Sequence, residues 1–267
     1  MALTEMSKQS RRTRHWRPLV PFPEPIESDS ARRSKTMTEE NAVVLVSGGL
    51  DSATAVYEAI DRGYDVHLMH TSYGQRTENK EYECAMALAD AVDAVDFLHV
   101  ETEHLSKIGD SSLTDGNIDV ADANMESDDI PSSYVPFRNA NLLSMAVSYA
   151  EARDCSAVFI GAHSEDFSGY PDCRSAFFEE FQRVVDVGTK PATEIEVLAP
   201  FAEWSKTAIV TRGRELEVPF ELTWSCYRDD EPACGTCDSC AFRLDAFHNA
   251  GEEDPIPYTE PLDTPSD

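Results

Sequence analysis

The stretch Asn41-Ala42-Val43-Val44-Leu45-Val46-Ser47-Gly48-Gly49-Leu50-Asp51-Ser52 restricts the fold of this chain more than any other. Val43 to Val46 is a short, mostly β-branched apolar run, which predicts a fully buried strand. Two glycines follow at once, and Ala53 to Ile60 then offers helix formers with Val56 and Ile60 four residues apart. A strand, a glycine loop and a helix N-terminus in that order suit a phosphate. Free N–H groups of the first helical turn and the helix dipole both favour an anion, and glycine lets the backbone approach it. Ser47 and Ser52 add hydroxyl donors. The lysine of the Walker pattern is missing, so this is not a standard P-loop. An ordinary strand-to-helix turn would also read Ser-Gly-Gly.

The rest of the chain predicts what surrounds that loop. Asp65 to His70 and Val95 to Val100 read as strands, with a helix between them that Thr77 caps and that runs to about Val92. Residues 109–130 are rich in Asp, Asn and Ser and poor in apolar anchors, the composition of a long mobile loop or lid. A helix is expected over Asn141 to Arg153, a strand over Ala157 to Gly161, a helix over Ser175 to Val187 and a short strand over Ile195 to Leu198. Ser205 then caps a helix to Leu216, and a last short helix spans Cys240 to His248. Alternating strands and helices with such connections mean an α/β fold, a doubly wound parallel sheet covered on both faces. The glycine loop then sits at the carboxyl end of the strands, where such sheets bind ligands.

Charge divides the chain. The net charge is −28. Residues 1–36 hold eight Lys/Arg against four acids, which leaves 14 basic and 46 acidic residues in the rest. The arginine-, serine- and proline-rich 1–36 reads as a disordered basic extension, and the acidic, proline-rich end of the chain as a frayed tail. A nucleic-acid binder carries a basic patch, which this body does not supply, so no direct nucleic-acid partner is expected. An acid-rich surface on a normal core reads as adaptation to a salt-rich cytosol, where screening removes self-repulsion. No apolar run approaches the ~18 residues of a membrane span, and Pro18 to Pro25 stands where a signal sequence would need its apolar stretch. A soluble, cytoplasmic protein is expected.

Four of the seven cysteines lie together as Cys226-x7-Cys234-x2-Cys237-x2-Cys240. Without a secretory signal such a cluster reads as a metal site rather than as disulfides. Four thiolates suit a closed, tetrahedral Zn²⁺ site, with Gly235 turning the backbone so that its amides face the sulfurs. An iron–sulfur cluster or a redox Cys-x2-Cys pair are the competing readings.

Ser47-Gly48-Gly49-Leu50-Asp51-Ser52 resembles the pyrophosphate loop of the N-type ATP pyrophosphatases, which cleave ATP to AMP and pyrophosphate and adenylate an oxygen of their substrate. Three further stretches resemble one family among them, the 7-cyano-7-deazaguanine (preQ0) synthases of queuosine and archaeosine biosynthesis. These are Tyr134-Val135-Pro136-Phe137-Arg138-Asn139, Asp166-Phe167-Ser168-Gly169-Tyr170-Pro171-Asp172-Cys173-Arg174 and the four cysteines; together the resemblance spans roughly residues 40–248. Phe137 stands where the family usually has glycine, so a positive φ there would strain it.

The resemblance implies an adenine nucleotide alpha hydrolase-like sheet over 37–221, a zinc-binding segment over 222–248 packed on it, and an acidic tail over 249–267. It implies a ligase that uses ATP, Mg²⁺ and Zn²⁺ to convert 7-carboxy-7-deazaguanine and ammonia to the nitrile. The carboxylate is adenylated and aminated, and the resulting amide oxygen is adenylated again and leaves. Val46, Ser47, Gly48, Gly49, Leu50, Asp51, Ser52, Ala53 and Thr54 would hold the nucleotide, with Asp51, Arg138 and Asp172 as catalytic residues. Arg138 and Arg76 are the candidate phosphate cations, their planar forks suited to such oxygens. Asp172 could accept both edge N–H groups of a guanine-like ring. Cys173 reads as a bystander, since direct adenylation needs no thiol. The partners are the small deazaguanine substrate and ammonia, with a homodimer as the expected assembly. A tRNA sulfurtransferase using Cys234 and Cys237 and a non-enzymatic zinc-knuckle binding module are the alternatives.

Overall fold

A computed structural model of the chain describes residues 40–123, 130–163, 170–228 and 231–259. The expected basic extension 1–36, Asp166 to Gly169 and the tail beyond Thr259 lie outside the described residues. Five strands form one parallel sheet: β1 (Glu40–Leu45), β2 (Tyr64–Ser72), β3 (Asp96–Glu101), β4 (Ala157–Ile160) and β5 (Glu196–Leu198), in the order β3-β2-β1-β4-β5. Central β1 explains why the sheet is covered twice. Ala42, Val44 and Val46 point into one apolar cluster, and Val43 and Leu45 into the other, the period-two alternation of a strand buried on both faces.

Helices α1 (Leu50–Asp61), α2 (Glu78–Ala91), α6 (Lys206–Glu215) and α7 (Asp238–Asn249) pack residues such as Ala53, Val56, Leu88, Ile209 and Phe247 into the first cluster. Helices α4 (Arg138–Ala152) and α5 (Ser175–Gly188) pack Leu143, Ala146 and Phe178 into the second. This is the doubly wound architecture expected, with the cysteine segment at its C-terminal end. Connections leave β1 in opposite directions across the sheet, so the strand order reverses between β1 and β4. Sheets of this kind open a crevice at that switch point. Among the described residues no helix is long and apolar enough to cross a membrane.

Three expectations need correction. A short helix, α3 (His104–Ile108), precedes the loop expected over 109–130, and the described part of that loop, 109–123, is irregular as expected but held in place rather than free. Arg76 donates to the carbonyls of Ser112 (2.7 Å), Asp115 (3.1 Å) and Ile118 (2.7 Å), and Arg228 to that of Val120 (2.6 Å). Helix α4 starts at Arg138, three residues before the expected Asn141, because Asp172 accepts the Asn139 N–H at 2.9 Å and so serves an orphan donor of the first turn from 33 residues away. Finally, residues 250–259 are docked. Asp254 forms a two-pronged pair with Arg243 (2.7 and 2.9 Å), both side chains all but buried, and the main chain pairs with Ala233 through Pro257 and Thr259.

Candidate active site

The glycine loop leaves β1 where the Val46 carbonyl drops out of the ladder and is taken by His70 Nδ1 at 2.8 Å. Ser52, in the first turn of α1, then closes the loop. Its hydroxyl donates to the Gly49 carbonyl (2.9 Å) and accepts from the Ser47 amide and hydroxyl (both 3.1 Å). Gly48 sits at φ +80°, and a Cβ there would come within 2.4 Å of the Glu81 carbonyl, so only glycine fits between loop and α2. Gly161, just past β4, plays the same part on the other side: a Cβ would lie 2.5 Å from the Asp51 carbonyl. The N-terminus of α1 is thus wedged into the switch-point crevice with its amides open.

A cavity of about 230 Å³ lies in front of it. Of the nine residues expected at the nucleotide, Val46, Ser47, Gly49, Leu50, Asp51 and Ser52 line this cavity. Gly48 is packed against α2, and Ala53 and Thr54 face the core with no exposed surface, the Thr54 hydroxyl donating back to the Leu50 carbonyl at 2.9 Å. Arg138 lines the cavity from the first position of α4 and donates to the Tyr73 hydroxyl at 3.1 Å. Arg76 does not line it; its guanidinium is spent on the backbone carbonyls above. Asp172 is not among the lining residues either, one carboxylate oxygen being held by α4. Cys173 does reach the cavity wall, but burial pushes its thiol up to about 11, which leaves it protonated and fits a bystander.

Two residues that sequence reasoning passed over complete the site. Lys206 Nζ lies 3.1 Å from Asp51 Oδ2 and 3.2 Å from His163 Nε2, and His163 Nε2 is 3.6 Å from the same carboxylate oxygen. Burial alone would raise the Asp51 carboxyl; Lys206 and His163 outweigh it and hold it well below the usual carboxylate range. Asp51 is therefore ionised, and its Oδ1 is buried with no hydrogen-bond partner among the described residues. A bare anionic oxygen at the N-terminus of α1 fits a hard cation. A signal for Lys206 was present in the sequence: it opens helix α6 directly after the Ser205 cap, and a cation at the positive end of a helix is electrostatically misplaced unless a partner compensates it. Nothing local marks His163.

Among the described residues Glu81, from α2, is the other carboxylate that lines the cavity. Thr77 and Gln75 each donate to one of its oxygens at 3.0 Å. Burial raises its pKa, against those two donors and Arg138.

The cysteine sulfurs of Cys226, Cys234, Cys237 and Cys240 lie within 4.8 Å of one another. Backbone amides face them: Arg228 and Cys234 donate to Cys226 Sγ (both 3.4 Å), and Cys237 to Cys234 Sγ (3.3 Å). Such donors favour thiolates, and four converging thiolates fit a metal ion. None of the four lines the cavity. The segment is nonetheless tied to the glycine loop, because Trp224 donates its N–H to the Gly48 carbonyl at 2.8 Å, and the Cys226 carbonyl lies 3.3 Å from the Thr77 hydroxyl oxygen.

Comparison with known proteins places this geometry in a family. The family model described as Queuosine biosynthesis protein QueC matches residues 41–251. A 7-cyano-7-deazaguanine synthase from Haloarcula marismortui is 73% identical over 84% of this chain and 97% of its own length. Proteins of that name from Halobacterium salinarum (69% identical, 84% and 98% covered) and Methanoculleus marisnigri (54% identical, 82% and 99% covered) are similar over the same span. Among solved structures, an NMN synthetase from Francisella tularensis matches 84% of this chain and 90% of that chain at 14% identity and a TM-score of 0.43. With the model matched over most of its length and relatives far above 30% identity, this chain belongs to the QueC family of queuosine biosynthesis proteins.

Proposed function

We propose that the chain is a cytoplasmic ligase that makes 7-cyano-7-deazaguanine from 7-carboxy-7-deazaguanine, ammonia and ATP. The observation that carries this reading is the meeting of the Ser47–Ser52 loop, the Asp51–Lys206–His163 cluster and Arg138 around one cavity, in a member of the QueC family. The open amides of α1 and Lys206 hold the pyrophosphate that leaves when a substrate oxygen attacks the α-phosphorus. Arg138 steadies the substrate anion, its fork matched to carboxylate or phosphate oxygens. Ammonia displaces AMP to give the amide. The amide oxygen attacks a second ATP, and loss of AMP and protons leaves the nitrile.

Asp51 Oδ1 would hold Mg²⁺, which when bound would offset phosphate charge. Cys226, Cys234, Cys237 and Cys240 would hold a structural Zn²⁺, and four thiolates would leave no coordination position for water or substrate. The sulfurtransferase alternative loses support because Cys234 and Cys237 face the cluster rather than the cavity. The functional unit is a homodimer that acts on a free base and does not dock on nucleic acid.

The test is incubation of the protein with 7-carboxy-7-deazaguanine, ammonium, Mg²⁺ and ATP, followed by mass spectrometry. Nitrile and AMP are expected, and both should vanish in Asp51→Ala. Absence of nitrile from the wild type, or full AMP production by the variant, overturns the reading.

A further inference from the structure

The sequence points to Asp172 as the carboxylate for a guanine-like edge, but that side chain serves the N-terminus of α4 and does not line the cavity. We propose that Glu81 reads this edge and so sets the specificity of the site for a 2-amino-4-oxo ring. The proposal rests on the functional reading above and adds a residue to it.

Three observations point to Glu81. First, its carboxylate is oriented before any ligand arrives. Thr77 Oγ1 donates to one oxygen and Gln75 Nε2 to the other, both at 3.0 Å, and both donors come from nearly buried side chains. Gln75 is itself fixed, its Oε1 accepting from the Tyr73 N–H at 2.8 Å. Second, each carboxylate oxygen can accept more than one hydrogen bond, so an acceptor remains on each after these two are made. Two parallel acceptors match the adjacent N1–H and 2-amino donors of a 7-deazaguanine. They do not match adenine, whose edge sets a donor beside an acceptor. ATP in the same cavity is therefore not a competitor for this group. Third, the planar ring needs apolar faces. Tyr73, Leu113 and Tyr227 form one apolar cluster and line the same cavity as Glu81. Arg138, bonded to the Tyr73 hydroxyl, stands in that cavity as the cation for the carboxylate that the ring carries at its 7-position.

The experiment measures binding of 7-deazaguanine and of 7-deazahypoxanthine, which lacks the 2-amino group, by titration calorimetry on the full chain. Wild type should prefer 7-deazaguanine on the order of 10–100-fold, the value of a hydrogen bond to a charged acceptor. Glu81→Gln replaces one acceptor by a donor and should bring the two bases to within about threefold. Glu81→Asp, which withdraws the carboxylate by one methylene, should also shrink the preference, and it stands in if the first variant does not fold. An unchanged preference in a folded variant overturns the assignment, even if turnover falls, since that outcome makes Glu81 a structural or charge-balancing group. If the wild type makes no nitrile from 7-carboxy-7-deazaguanine and binds neither base, the functional reading itself fails and takes this assignment with it.

Discussion

At the scale of single residues, the site is built on a few conformations that the side chains themselves do not favour. Phe137 is one. It holds φ +57° and ψ +28°, the left-handed region, at the position that opens α4; the residue is 61% exposed and its ring makes an edge contact to Phe177. A non-glycine residue there costs about 1 kcal/mol or more. Phe137→Gly should therefore raise the thermal midpoint by roughly 2–4 °C in a domain of this size, whereas Phe137→Ala, which keeps the strain and loses the ring, should not. Scanning calorimetry of the two variants decides it, and a fall in both would mean that the aromatic contact outweighs the backbone. His70 is another. Its Nδ1 is used by the Val46 carbonyl, and its Nε2 is buried without a partner among the described residues. Burial, against the Val46 carbonyl, lowers its pKa from 6.5 to about 4. The unfolded chain thus takes up the proton first, so stability is full above about pH 6.5 and falls as pH drops towards about 4, by about 3 kcal/mol. His70→Gln removes that titration. Denaturant unfolding at pH 7 and pH 4.5 should show a smaller drop in the variant than in wild type, and an equal drop would refute the claim.

At the scale of elements, the C-terminal segments hold the glycine loop in place. Arg243 on α7 is fully buried; it pairs with Asp254 and donates to Thr223 Oγ1, Ser225 Oγ and the Phe220 carbonyl. The same run, through Trp224, reaches the Gly48 carbonyl. Asp254→Ala would strand a buried guanidinium, which costs about 3–5 kcal/mol. Chemical denaturation should register that loss, and a change below about 1 kcal/mol would show the pair to be dispensable. The cysteines act on the same run from the other side. Wild type should carry one Zn²⁺ per chain by mass spectrometry, and Cys237→Ser should lose most of it and become open to proteolysis over 222–248. Iron in place of zinc, or a zinc-free variant of undiminished stability, would defeat the structural-zinc assignment. Much of this was legible in advance. Val43–Val46, the Ser205 cap and the cysteine spacing are local patterns, and local patterns survive into the fold. The early start of α4 was not legible, since Asn139 is served by an aspartate 33 residues on. Neither was the docked tail, because Asp254 in an acid-rich, proline-rich run looks like solvent-exposed chain until Arg243 is seen to lie buried beneath it. Lys206 and His163 converge on Asp51 only once β4 and α6 are brought to β1, and strand order is not written in hydrophobic period.

At the scale of the whole molecule, charge is the dominant unbalanced term. Fourteen basic residues beyond position 36 face 46 acidic ones, so most carboxylates have no cation to meet. The cations present are shared: Arg212 alone contacts Glu58, Asp61 and Glu215, joining α1 to α6. The surplus repels itself across the surface, and a compact fold concentrates that repulsion more than an unfolded chain does. Added salt shortens the reach of the repulsion from ~10 Å at 0.1 M to ~3 Å at 1 M, so it should stabilise the folded state without altering a single contact. If screening recovers about 3 kcal/mol, the thermal midpoint moves up by roughly 6–12 °C between dilute buffer and 1 M KCl. The shape of the curve identifies the cause. Screening acts steeply below ~1 M and then saturates, because the Debye length is by then shorter than the spacing of surface charges. Exclusion of salt from the surface would instead keep raising the midpoint as concentration climbs. A profile flat from dilute buffer to 1 M KCl removes the repulsion argument altogether, and a straight rise to several molar assigns the effect to solvent exclusion rather than to the 46 acids.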